Sequence, residues 1–130
     1  MTMADYPDDL RYTDSHEYVR LEGEIATIGI TSFAVRQLGD IVFVELPDTG
    51  TKIEQEEIFG TVESVKAVET LIAPLSGTVI EYNTAVVDDP EIVSDDPYGE
   101  GWFIKVQVDN LTDLDDTLSR NQYLSLIEGV

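Results

Sequence analysis

No cysteine occurs in the 130 residues, so disulfides, thiolate metal sites and cysteine nucleophiles are excluded. His16 is the only histidine, which rules out a histidine-cluster metal site, and "SHEY" lacks the second histidine of a zinc motif. Basic residues are scarce: 7 lysines and arginines stand against 27 acids, for a net charge of −20. With no basic patch to displace counterions from phosphates, nucleic acid is not an expected partner. No window approaches the run of about 18 apolar residues that a membrane span needs. The opening "MTMADYPDDLRY" has three acids before its first arginine, Arg11. It has neither the basic and apolar regions of a secretory signal nor an Arg-rich transit composition, so a cytoplasmic location is expected. Its first ten residues are expected to be flexible.

What is present suits a single globular domain over 1–130, large enough for a real core, with a hydrophobic fraction of 42%. The acids are spread along the chain (Asp14, Glu24, Glu54, Glu81, Asp95, Asp113) rather than gathered in a tail. Such a surface repels itself in dilute salt, and a Debye length of roughly 3 Å at 1 M removes that penalty. The dispersion points to a salt-adapted prokaryote; a basic partner would more naturally face concentrated charge.

Short strands dominate. "EYVRLE" and "EIATIGI" flank Gly23 as a hairpin, with Val19, Leu21, Ile28 and Ile30 as core candidates. In "TSFAVRQLG", Thr31 or Ser32 can cap a short helix that Gly39 ends. "DIVFVELP" is an apolar strand stopped by Pro47, and "PDTG" has turn chemistry. "IFGTVES" and "AVETLIA" are two more strands, and "PLSG" leads into "TVIEYN". "DDPEIVSDDPYGEG" is loop-like. "WFIKVQV" is a strand with Trp102, Ile104, Val106 and Val108 on one face, and Trp102 and Phe103 read as core and flank. "TDLDDTLSRNQYLSLIEG" reads as helix from Leu114, Leu118, Tyr123, Leu124 and Ile127. The sum is a compact, mainly β structure, sandwich or barrel, closed by a C-terminal helix. Asp95, Asp96 and Glu100 lack the spacing of an EF-hand calcium loop and read as a structural turn.

"GTVESVKAVET" is the informative stretch. A connection at Val65-Lys66 reverses the chain and holds a long amine arm into solvent, although the favoured Asn-Gly or Asp-Gly is missing. Glu63 and Glu69, if both lie near the amine, would favour its charged form. A Schiff-base lysine needs the opposite environment. Two readings remain open on these grounds: a solvated tip lysine, or a lysine displayed for covalent modification.

The segments "LRYTDSHEYVRLEG", "ATIGIT", "QLGDIVFVELPDTG", "FGTVESVKAVETLIAPLSGTVIEYN" and "DPYGEGWFIKV" resemble the H-protein family of the glycine cleavage system, in that family's order and spacing. The resemblance implies a lipoyl-domain-like barrel-sandwich hybrid with a short internal helix and a C-terminal helix. By the same resemblance, Lys66 receives lipoate through an amide bond, and Glu63 and Gly77 serve recognition by the lipoate-attaching enzyme. Ser15 and Glu17 match residues near the cleft that shelters the arm, an ordinary surface turn being the plain alternative. Tyr18 stands where the family usually has tryptophan, and Gln37 and Thr70 where some members carry histidine and aspartate.

The implied role is a non-catalytic carrier. It shuttles an aminomethyl group from a pyridoxal-phosphate glycine decarboxylase (P protein) to the tetrahydrofolate-dependent aminomethyltransferase (T protein). Dihydrolipoamide dehydrogenase (L protein) then reoxidises it. An H-like relay supplying lipoate to other complexes is the nearest variant. Biotin carriers typically show Met-Lys-Met at the tip, whereas this chain has Val65-Lys66-Ala67. An enzyme using Lys66 as nucleophile would lack partner residues.

Overall fold

A computed structural model describes residues 6–128. Two antiparallel sheets hold the chain. The larger runs β1 (Arg11–Tyr12), β2 (Glu17–Glu22), β3 (Ile25–Ile30), β9 (Ile104–Val108), β8 (Gly77–Tyr82) and β5 (Lys52–Ile53), in that spatial order. The smaller has β6 (Ile58–Ser64) between β4 (Ile41–Glu45) and β7 (Val68–Ile72). Neither sheet closes into a barrel, so the architecture is mainly β with two open sheets sharing one core.

Alternation explains that core. Val19 and Ile28 pair across β2 and β3, Val44 and Val62 across β4 and β6, and Val79 and Val106 across β8 and β9, all buried. Ile104, Val106 and Val108 share the buried face of β9 as expected. Leu21 does not: nearer the Gly23 turn, it is exposed. Trp102 lies before β9, half-buried, its ring 5.0 Å from the Lys105 ammonium, while Phe103 is buried. Gly29 stands opposite Tyr18, and a Cβ there would come within 2.7 Å of the Tyr18 ring. The missing side chain lets that tyrosine lie flat across the strand.

Helix α1 (Ser32–Leu38) forms where the sequence places it. The Thr31 side chain accepts from the Ala34 N–H, and Gly39 ends the helix at φ 79°. Two corrections follow further on. The stretch read as loop, which begins at Asp88, contains α3 (Glu91–Asp95), and just before it α2 (Thr84–Asp88) forms in residues left unassigned, each one turn long. Asn83 caps α2 and also donates to the Glu100 and Trp102 carbonyls, and the two turns bury Val86 and Val93 in the main core. Five-residue helices are too short to show a period among so many Asp and Pro residues. The C-terminal helix is also shorter than expected. Residues Leu111–Asp116 form a 3-10 turn, Leu118 is extended and bridges Tyr12, and only Arg120–Glu128 is α-helix (α4).

Helix α4 closes a second, smaller core. Tyr123 and Ile127 pack with Tyr6, Leu10, Tyr12 and Tyr18, and the Tyr12 and Tyr123 rings stack at 4.8 Å. Residues 1–5 of the segment expected to be flexible lie outside the described residues; Tyr6 and Leu10, from its second half, are buried.

Candidate functional site

Lys66 is exposed at the end of the β6–β7 hairpin. The turn is built by a residue the sequence reading passed over. Ser64 is buried, and its backbone N–H donates to the Ala67 carbonyl at 2.8 Å. Its hydroxyl accepts from the N–H groups of Lys66 (3.3 Å) and Ala67 (3.1 Å). A side-chain oxygen thus captures the donors that Asn-Gly geometry would otherwise organise. The Val65 N–H donates to the Asp40 carbonyl at 3.1 Å, which ties the tip to the chain leaving α1.

The two glutamates flanking Lys66 do not converge on it. Glu63 pairs with Val68, while Glu69 pairs with Val62, so the two carboxylates lie on opposite faces of the hairpin. Among the described residues the ion pairs are Lys52–Asp109 and Lys105–Glu81, and Lys66 joins neither. The amine is presented to solvent without a dedicated counterion.

Beside the tip opens a cleft of about 430 Å³, within the range that binds small organic groups. The hairpin supplies one wall through Val62, Ala67, Glu69 and Leu71; α1 supplies the other through Phe33, Ala34, Gln37 and Leu38. Ser15, His16 and Glu17 form its polar end, and Thr70 also contributes. The cleft reaches Ala67, the neighbour of Lys66, so tip and cleft are continuous.

Glu17 is buried, with both oxygens satisfied. Oε1 accepts from the hydroxyls of Thr13 (2.7 Å) and Ser15 (2.5 Å), and Oε2 accepts from the Ile72 N–H at 3.1 Å. This single side chain joins β2 of the large sheet to the edge of β7 in the small one. Burial raises its pKa, and the bonds from Ser15, Thr13 and the backbone oppose that rise without cancelling it. Glu17 is thus an interior residue that ties the two sheets together. His16 sits at φ 73°, its Nδ1 2.8 Å from the Tyr123 hydroxyl and its ring 4.7 Å from that of Phe33. Tyr123 bonds Thr31 Oγ1 at 2.8 Å as well, so α4 and the cap of α1 hold the imidazole together. Burial lowers the His16 pKa, against the pull of Asp14 and Glu69.

A family model described as "Glycine cleavage H-protein" matches residues 10–129. The chain belongs to this family. It is 64% identical over 126 residues to the "Glycine cleavage system H protein" of Gloeothece citriformis, covering 96% of each chain. It is 58% identical over 129 residues to the protein of that name from a Nostoc species, covering 99% of each. The crystal structure of a glycine cleavage system H protein from Mycobacterium marinum superposes with a TM-score of 0.87 at 42% identity, covering 95% of this chain and 99% of that one.

Of the residues matched to the family's pattern, Ser15, Glu17, Gln37 and Thr70 line one cleft, and Lys66 adjoins it in the chain through Ala67. Glu63 is exposed on the outer side of the hairpin. Gly77 is elsewhere, buried at the start of β8 between β5 and β9. A Cβ there would fall 2.3 Å from the Gln107 carbonyl oxygen and 2.5 Å from Val106 Cγ1, so close strand packing requires the glycine. Ser64 and Tyr123 had no signal in the sequence beyond their residue types, because their partners lie across a turn or 107 residues away.

Proposed function

We propose that Lys66 carries lipoate through an amide bond and that the cleft beside the tip shelters the loaded arm. Family membership makes the chain an H protein of the glycine cleavage system, a lipoyl carrier. The observation that carries the residue assignment is the continuity of an exposed, counterion-free lysine with an apolar-walled cleft. Apolar walls from Ile30, Phe33, Leu38, Val62 and Leu71 suit an acyl chain, and the polar end at Ser15, Glu17 and Glu69 suits an amine. The fit to a lipoyl group is therefore good.

To be acylated, the amine gives up a proton and its nitrogen bonds to an activated acyl carbon as the leaving group departs with its electron pair. Bound there, lipoate supplies a redox-active dithiolane that takes up and returns a one-carbon unit, chemistry a cysteine-free chain cannot offer. The chain's own residues hold and protect: the walls exclude water, and Ser15 and Glu17 accept hydrogen bonds from a primary amine. Glu63 marks the tip for the lipoate-attaching enzyme, and Gly77 acts on that recognition through strand packing. The role is that of a carrier, handing its cargo from glycine decarboxylase to aminomethyltransferase and then to dihydrolipoamide dehydrogenase. All of these act in the cytoplasm, and tethering raises the effective concentration of the cargo at each docked partner.

Intact mass tests the linkage. Protein from lipoate-replete cells should carry one lipoyl addition, mapped by peptide to Lys66, and the Lys66→Arg variant none. A wild-type chain without the addition in such cells refutes the assignment.

A further inference from the structure

The outer face of the small sheet is unpartnered and unusually apolar. Phe43, Glu63 and Val68 form one row across β4, β6 and β7. Phe43 is 48% exposed and Val68 60%, and beside the row Val42 is 51% and Val65 72% exposed. Four of the large exposed apolar side chains thus surround the Lys66 tip. Carboxylates border them: Glu45 and Glu63 lie on the same face, the three strands contain no lysine or arginine, and Asp40 adjoins the tip.

We infer that this face is the docking surface for the enzyme that forms the Lys66 amide, through an apolar patch with a rim of lysine or arginine. The inference rests on the reading of Lys66 as the acylated residue. Reach selects the occupant. A lysine side chain extends about 6 Å from its Cα, so an enzyme that must touch the bare amine has to cover the residues immediately around the tip. Enzymes that use the loaded arm meet it roughly 10–15 Å from the backbone and can dock elsewhere. Charge supports the same occupant. A second copy of the chain would set Glu45 and Glu63 against their own counterparts, whereas a basic rim complements them. Apolar contact at the centre with charge at the edge is the usual division of labour in such interfaces.

The test compares two reactions on one set of proteins. Phe43→Thr/Val68→Thr keeps β-forming residues at exposed positions, and the isosteric Val68→Thr single variant guards against misfolding; Ile80→Thr, exposed on β8 in the other sheet, is the control. With lipoate ligase, lipoate and ATP, the double variant should show a KM raised about tenfold or more, the single variant a smaller rise and the control none. Salt should raise the wild-type KM. Each variant, driven to complete lipoylation with excess ligase, should then accept the aminomethyl group from glycine decarboxylase within about twofold of wild type. An unchanged KM for ligation, or an equal loss in both reactions, overturns the inference while leaving the Lys66 assignment intact. A wild-type chain that gains no mass at Lys66 removes both.

Discussion

Buried carboxylates are seldom neutral bystanders, and Glu17 shows why its position matters. Its folded pKa is raised, first by burial, so protonation favours the folded state. The stability it contributes is present below the ordinary glutamate value and is lost as pH climbs through the raised one. A Glu17→Gln variant can keep the Ile72 N–H bond with its carbonyl oxygen and donate its amide to the Thr13 and Ser15 hydroxyls, which can turn to accept. Melting of variant and wild type should therefore diverge in the variant's favour between pH 4 and pH 7. A difference that stays constant, or moves the other way, argues against this account. Nothing in "SHEYV" announces that burial: a Ser-His-Glu run reads equally as a surface turn, and only the packing of β7 over β2 makes Glu17 interior. The exposure of Lys66, by contrast, was legible, because a lysine at the turn between alternating strands needs only local sequence to be seen.

The β6–β7 hairpin is the element that turns a lysine into a handle. Its strands were readable from alternation, but its turn was not, since the stabilising group is the Ser64 side chain rather than a turn-forming dipeptide. Ser64→Ala removes the acceptor for two backbone donors and should cost about 1–2 kcal/mol in chemical denaturation, in line with one or two hydrogen bonds lost beside a partly buried turn. Ser64→Thr, which retains the hydroxyl, should recover part of that loss. Equal stability of all three proteins would mean that water replaces the hydroxyl without cost. The one-turn helices α2 and α3 escaped sequence reading for a different reason. They exist because Val86 and Val93 are drawn into the core and Asn83 caps the first, forces that are tertiary and leave no periodic trace.

At the scale of the molecule, the net charge predicts a fold whose stability depends on salt. With a net charge of −20 and two ion pairs among the described residues, most carboxylates face water and each other. Raising sodium chloride from about 0.01 M to about 1 M shortens the Debye length from roughly 30 to 3 Å. The melting temperature should rise by at least about 4 °C, corresponding to about 1 kcal/mol for a domain of this size. A melting temperature that is flat or falls with salt would show that self-repulsion is unimportant. The dispersed acids were plain in the sequence; the joining of distant segments was not. Tyr123, near the C-terminal end, holds His16 and Thr31 in place around the cleft. A growing polypeptide can thus fold its lysine hairpin from local contacts while the shelter beside it is still missing a wall pin. That pin is made after the hairpin, so the handle emerges before its hiding place is complete.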